Sequence, residues 1–270
     1  LTVACLDENE FMVFGSGAAQ EMHRRWFESH IDKFNLSYSN RSDEYHGLSI
    51  AGPNSRKVLE KIVRDDVSNE KFKFRDSRRM FVGGVPAIIN RISFTGELGY
   101  EIYVAPHYQL KLYEELMEAG KEFNIKPFGG RALMSMRLEK NWGAWTLDYR
   151  PDFTAKETGL DVFINWDKEF IGKESAQKEN SSNKLIPLIV ETNEIDVTNN
   201  EAVMNGDQSI GYVTSGGFAH FVNKSVAFTF VDQKNIKSEN KIQVEINGDL
   251  FNCSIIKEPL YDPSGQKMRS

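Results

Sequence analysis

The chain has 270 residues, 40% of them hydrophobic and 27% charged, with a formal net charge of −6; that length exceeds one ordinary core and suits two. The negative balance speaks against general binding to nucleic acid or to anionic membranes, which both need a positive field, and no run of about 18 apolar residues offers a membrane span. The two cysteines, Cys5 and Cys253, lack a C-x-x-C partner, which argues against a disulfide framework or a zinc site and fits two small buried residues in the reducing cytoplasm.

Residues 1–6 and 11–14 read as strands around the polar turn Asp7-Glu8-Asn9-Glu10. The sequence opens mid-strand by pattern, without an initiator Met and without the basic flank and cleavage site of a signal peptide, so it reads as a piece of something longer. After Gly15-Ser16-Gly17, the residues Met22, Trp26, Phe27 and Ile31 recur at helical spacing. Residues 48–51 restart as a strand. Pro53 suits a first helical position, and Val58, Leu59, Ile62 and Val63 give that helix one apolar face. Residues 80–82 and 85–94 flank Gly83-Gly84 as a hairpin; a strand over 100–104, a helix over 110–123 and a helix over 131–140 follow. Residues 141–151 are irregular and aromatic. The polar cluster 180–183 reads as a linker. Strands are predicted beyond it at 185–191, 210–214, 225–231, 242–246 and 250–256, the last two joined by a turn at Asn247-Gly248. Short strands at this spacing suggest a small barrel or sandwich.

Four segments could carry chemistry. In Phe94-Thr95-Gly96-Glu97-Leu98-Gly99, an acid sits between two glycines at a strand end. The glycines permit a sharp turn or close backbone approach, and the carboxylate can accept two adjacent donors, such as a ring N–H beside an exocyclic amine; an ordinary solvated turn is the bland alternative. Arg131, in the first turn of its helix, stands where the dipole disfavours a cation, a place where its fork serves to grip a carboxylate or planar acceptor; a surface ion pair is the alternative. Arg137 and Glu139 read as structural ion pairs. Trp142, Trp145, Tyr149, Phe153, Phe163 and Trp166 could sandwich a ring but read by default as packing. The fourth segment, 213–220, reads as a loop: Ser215 and His220 have no G-x-S-x-G elbow and no third member. The other histidines show no H-E-x-x-H spacing, and no G-x-G-x-x-G follows a strand.

These residues resemble the T-protein (aminomethyltransferase) family of the glycine cleavage system. The resemblance rests on G-R-A-L-M-S-M-R-L-E-K over 130–140, D-K-E-F-I-G-K-E over 167–174, F-T-G-E-L-G-Y-E-I over 94–102, Ile50-Ala51-Gly52-Pro53 and Thr214-Ser215-Gly216-Gly217. Gly15-Ser16-Gly17-Ala18-Ala19 ahead of Trp26-Phe27, together with Asn141-Trp142 and Tyr261-Asp262-Pro263, is similar to the folate-binding C-terminal part of dimethylglycine and sarcosine dehydrogenases.

The resemblance implies an α+β fold of T-protein-like folate-binding lobes with ferredoxin-like elements, followed by a small C-terminal β-barrel. It divides the chain into residues 1–46, a remnant of the ferredoxin-like lobe; 47–183, the folate-binding domain; and 184–270, the barrel. It implies tetrahydrofolate as cofactor, with FAD only if a flavin domain lies upstream. The expected activity is one-carbon transfer from a glycine-type or N-methylated amine, and the partners are that donor and an upstream flavin domain or a lipoyl carrier protein. Glu97 matches the family's pterin-gripping glutamate and Arg131 its folate-contacting arginine. Tyr100 stands for packing beside the pterin, and Ser16 replaces an Asn near the ligand. The family's catalytic Asp would precede Leu1, so no catalytic residue is assigned, and no metal is expected. Two alternatives remain: a folate-dependent demethylase of another methylated osmolyte such as dimethylsulfoniopropionate, and a non-enzymatic folate-binding or docking domain. Against the latter, the K-G-C-Y-x-G-Q-E motif of its iron–sulfur assembly relatives is replaced here by Glu157-Thr158-Gly159-Leu160-Asp161.

Overall fold

A computed structural model describes residues 1–192, 195–236 and 241–270. It divides into two compact units, Leu1–Gly129 with Ser264–Ser270, and Gly130–Pro263.

The first unit opens with the antiparallel pair β1 (Thr2–Asp7) and β2 (Glu10–Phe14), with Val3 opposite Val13. Helix α1 (Gln20–Glu28) follows a 3-10 turn at Gly17–Ala19. Next come β3 (His46–Ala51), α2 (Ser55–Glu60), β4 (Ser77–Val82), β5 (Val85–Asn90), β6 (Gly99–Val104) and α3 (Gln109–Gly120). The four strands form an antiparallel sheet in the order β3-β6-β5-β4. Alternation along β6 sends Tyr100, Ile102 and Val104 to one face, where they meet Ile89 and Val82 of the neighbouring strands, Val58 and Leu59 of α2, and Leu112 and Leu116 of α3. Each such aliphatic side chain contributes about 1.5–3 kcal/mol by leaving water. The β4–β5 turn falls at Gly83-Gly84, both at positive φ (58° and 79°), as a two-residue hairpin turn requires.

The second unit begins with α4 (Gly130–Glu139) and continues through the short helices α5 (Ala155–Thr158) and α6 (Lys173–Lys178). Strands β7 (Asn183–Val190), β8 (Ala202–Asn205), β9 (Gln208–Ala219), β10 (Lys224–Asp232), β11 (Ile242–Ile246) and β12 (Asp249–Ile255) close into a barrel in the order β10-β7-β12-β11-β8-β9. The α+β class and the small C-terminal barrel thus match expectation. The barrel interior is filled by Leu188, Val190, Val213, Ala227, Val244 and Ile246. A smaller cluster sets Leu138 of α4 against Ala219, Val226, Phe228 and Ile256. The final segment, ending in α7 (Gln266–Arg269), belongs to the first unit.

Several local expectations are corrected. Residues 215–219 are strand and not loop, because β9 runs on to Ala219. Gly216 is needed there because a Cβ would lie 2.5 Å from the Val197 carbonyl oxygen. Strand β8 carried only four residues of signal. β5 stops at Asn90 instead of reaching 94. Pro53 lies ahead of α2, whose N-cap is Asn54. Cys253 is buried as expected, but Cys5 is exposed: it faces outward from a hairpin that leaves Val3 and Phe11 each 61% exposed.

Candidate functional site

The turn between β5 and β6 is over-determined by short-range bonds. The Gly96 N–H donates to Ser93 Oγ (3.0 Å) and the Glu97 N–H to Thr95 Oγ1 (3.2 Å). Gly96 adopts φ +86°, which a side chain would strain. The Leu98 carbonyl oxygen accepts from the Gly52 N–H (2.9 Å) and from Ser55 Oγ (3.0 Å), so the turn is tied to the β3–α2 connection. This scaffold holds the Glu97 side chain 22% exposed, largely out of water, with Oε1 3.9 Å from Lys267 Nζ. A carboxylate so held can accept paired hydrogen bonds from a flat heterocycle.

Tyr100, three residues further on, is buried in the core. Its ring is 1% exposed, stacked on Phe72 at 5.8 Å, and burial raises its hydroxyl above the usual tyrosine range. It belongs to the core beneath the sheet and not to an open surface. Ser16 is half-buried; its carbonyl accepts from the Ala19 N–H (3.0 Å), while its hydroxyl caps nothing. A cavity of about 440 Å³ lined by Tyr45, Asp65, Arg79, Phe81, Ile88 and Tyr103 includes none of the candidate residues.

In the second unit, Arg131 is exposed on the first turn of α4. The opposite end of that helix is buried and polar. Arg137 Nη1 donates to Asp148 Oδ2 at 2.8 Å, both side chains being out of water. Burial lowers the Arg137 pKa, and Asp148 opposes that. Among the described residues Glu139 makes no ion pair, contrary to expectation; its carboxylate accepts from the Phe221 N–H at 2.6 Å. Lys140 Nζ donates to the Asp262 carbonyl oxygen at 2.6 Å. These three charged side chains fasten α4 to three separate segments of its own unit.

Of the aromatic stretch, Phe153 packs as expected, stacked on Phe230 at 3.9 Å, and Tyr149 accepts from the Gly143 N–H. Trp145, Phe163 and Trp166 are instead exposed. Ser215 is 4% exposed and donates to Asp148, which ends any nucleophile reading, and His220 lies exposed just past β9. Glu157 forms a reciprocal capping box with Thr154 on α5 and accepts from Ser181 at 2.6 Å. Among the described residues, no group of three His, Cys, Asp or Glu side chains is placed to hold a metal, and no helix is long and apolar enough to cross a membrane. Sequence reasoning missed Asp148 and Lys267, which belong to no recognisable motif.

Comparison with known proteins gives a consistent picture. Residues 1–168 match the GCVT N-terminal domain, and residues 183–262 match the glycine cleavage T-protein C-terminal barrel domain. Mitochondrial dimethylglycine dehydrogenase of Homo sapiens is 34% identical over 96% of this chain, which spans 31% of that protein's length. The aminomethyltransferase of Bacillus mycoides is 31% identical over 95% of the chain, with 71% of that protein covered. The crystal structure of aminomethyltransferase T from Bartonella henselae superposes with a TM-score of 0.82 at 21% identity, covering 97% of this chain and 71% of that one, so the fold is shared. With both family domains matched in order, the chain belongs to the glycine cleavage T-protein family.

Proposed function

We propose that the chain binds tetrahydrofolate and serves one-carbon transfer to it from a glycine-derived or N-methylated amine. The observation that carries the reading is the Glu97 carboxylate, held on a rigid Gly96 turn and partly withdrawn from water. A pterin edge offers an N–H beside an amine, and a fixed carboxylate is its complement. Bound tetrahydrofolate would supply the nitrogen that accepts the one-carbon unit. What the chain contributes is orientation: Glu97 accepts from the pterin, and Arg131 offers a planar fork to an acidic or carbonyl group of the ligand. Ser16 is a further candidate contact. The likeness to dimethylglycine dehydrogenase supports an N-methylated amine as the donor, delivered by a flavin-bearing domain; the likeness to aminomethyltransferases supports a lipoyl carrier instead.

Calorimetry with tetrahydrofolate tests the reading. Glu97→Gln is expected to weaken binding by about 1–3 kcal/mol, the scale of a charge-assisted hydrogen bond. An unchanged Kd would remove Glu97 from the site. Product analysis then separates donors: methylene-folate marks an amine route, and methyl-folate a sulfonium route.

A further inference from the structure

The segment Ser264–Ser270 is anchored in the first unit by several independent contacts. The Ser270 carbonyl oxygen accepts from Arg56 Nη2 and from Arg91 Nη2, each at 2.7 Å. Arg91 is itself fully buried and donates its other terminal nitrogen to the Phe72 carbonyl oxygen. Met268 is 8% exposed, and the Arg269 guanidinium lies 5.9 Å over the Phe74 ring while donating to the Ser264 carbonyl oxygen. Lys267 sits inside this fixed stretch. Its position is therefore set by the backbone on either side, unlike that of a lysine swinging from a free helix face.

Its ammonium nitrogen lies 3.9 Å from Glu97 Oε1. We infer that Lys267 is a positioning residue for folate binding, fixing the direction of the Glu97 carboxylate before the ligand arrives. The inference rests on the reading of Glu97 as the pterin contact. The distance exceeds that of a hydrogen bond, so at this separation the ammonium attracts the carboxylate without filling an acceptor position on that oxygen. A carboxylate already oriented loses less rotamer freedom when the ligand docks. The lysine is half exposed, which keeps the contribution of the pair modest.

The test measures tetrahydrofolate Kd by calorimetry for Lys267→Met, Lys267→Arg, Glu97→Gln and the Glu97→Gln/Lys267→Met double variant, with melting temperatures as the folding control. Lys267→Met is expected to weaken binding about fivefold and Lys267→Arg to restore it. In the Glu97→Gln background, Lys267→Met should change Kd no further. An unchanged Kd for Lys267→Met beside a weakened Glu97→Gln overturns the inference and leaves the role of Glu97 standing. Equal losses in both backgrounds overturn it too, since Lys267 then acts without the carboxylate. A Glu97→Gln variant that binds normally defeats the underlying reading instead.

Discussion

Asp148 receives the Arg137 guanidinium at 2.8 Å with both side chains out of water, and three more donors converge on the same carboxylate. They are the Ala144 N–H (2.8 Å), Thr214 Oγ1 (2.5 Å) and Ser215 Oγ (2.7 Å). One buried anion thereby joins α4, the irregular stretch after it and β9. Desolvating an ion pair is costly, and it is tolerated where every lone pair is used. Asp148→Ala strands a buried arginine and should cost about 3–5 kcal/mol in urea unfolding. Replacing both partners at once, as Arg137→Met with Asp148→Leu, should cost less than the single change. A loss below about 1 kcal/mol for Asp148→Ala would show the network to be unimportant.

Glu139 carries a pH signature. Burial raises its carboxyl pKa, while the Phe221 and Val222 N–H groups and nearby His220 pull the other way. A raised folded-state value means that the folded chain holds this proton more tightly than the unfolded one. Its contribution is fully present below the ordinary glutamate range, about 4.3, and is lost as pH rises through the higher folded value. Glutamine does not titrate. The stability of Glu139→Gln relative to the parent chain should therefore climb as pH rises out of the acid range, in urea melts at a series of pH values. A difference independent of pH contradicts the assignment.

The two thiols should separate cleanly. Burial pushes the Cys253 thiol up to about 12, whereas Cys5 is exposed. Because only a thiolate attacks, a disulfide reagent at mildly alkaline pH should modify one cysteine quickly, and Cys5→Ser should abolish that phase. Cys253 should react only on unfolding, and fast labelling of it in native protein would refute its burial.

Arg131 is exposed and, among the described residues, engages no other side chain. Arg131→Ala should leave the melting temperature within about 1 °C, since surface changes of this kind cost little. The same variant should weaken tetrahydrofolate about tenfold in calorimetry. A stability loss without a binding loss would make it a structural residue.

The architecture was legible where side-chain period and turn chemistry agree. Val82, Gly83-Gly84 and Val85 announced a hairpin, as Asn247-Gly248 announced the last one. Glu97 became a candidate through the resemblance of residues 94–102 to the family's strand-turn signature, because an acid between glycines by itself reads equally as a solvated turn. The strand over 215–219 was not legible, because Ser215-Gly216-Gly217 is also the signature of a loop. Its glycine answers to the Val197 carbonyl, a neighbour that only the closed barrel supplies. Glu139 was misjudged for a related reason: its partner is a backbone N–H 82 residues away, invisible to any rule about charged neighbours. Asp148 and Lys267 gain their meaning from residues far along the chain, and local spacing carries no trace of that.

The return of Ser264–Ser270 to the first unit nests the second unit, in sequence, within it. During synthesis, residues 130–263 are complete and able to close their barrel while the first unit still awaits the strap gripped by Arg56 and Arg91. Translation order thus lets residues 130–263 emerge before the segment that completes the first unit. A stop codon placed just after Pro263 would spare the barrel and leave the earlier-made unit as the unfinished one, which amide exchange in Ile102 and Phe72 would report as lost protection.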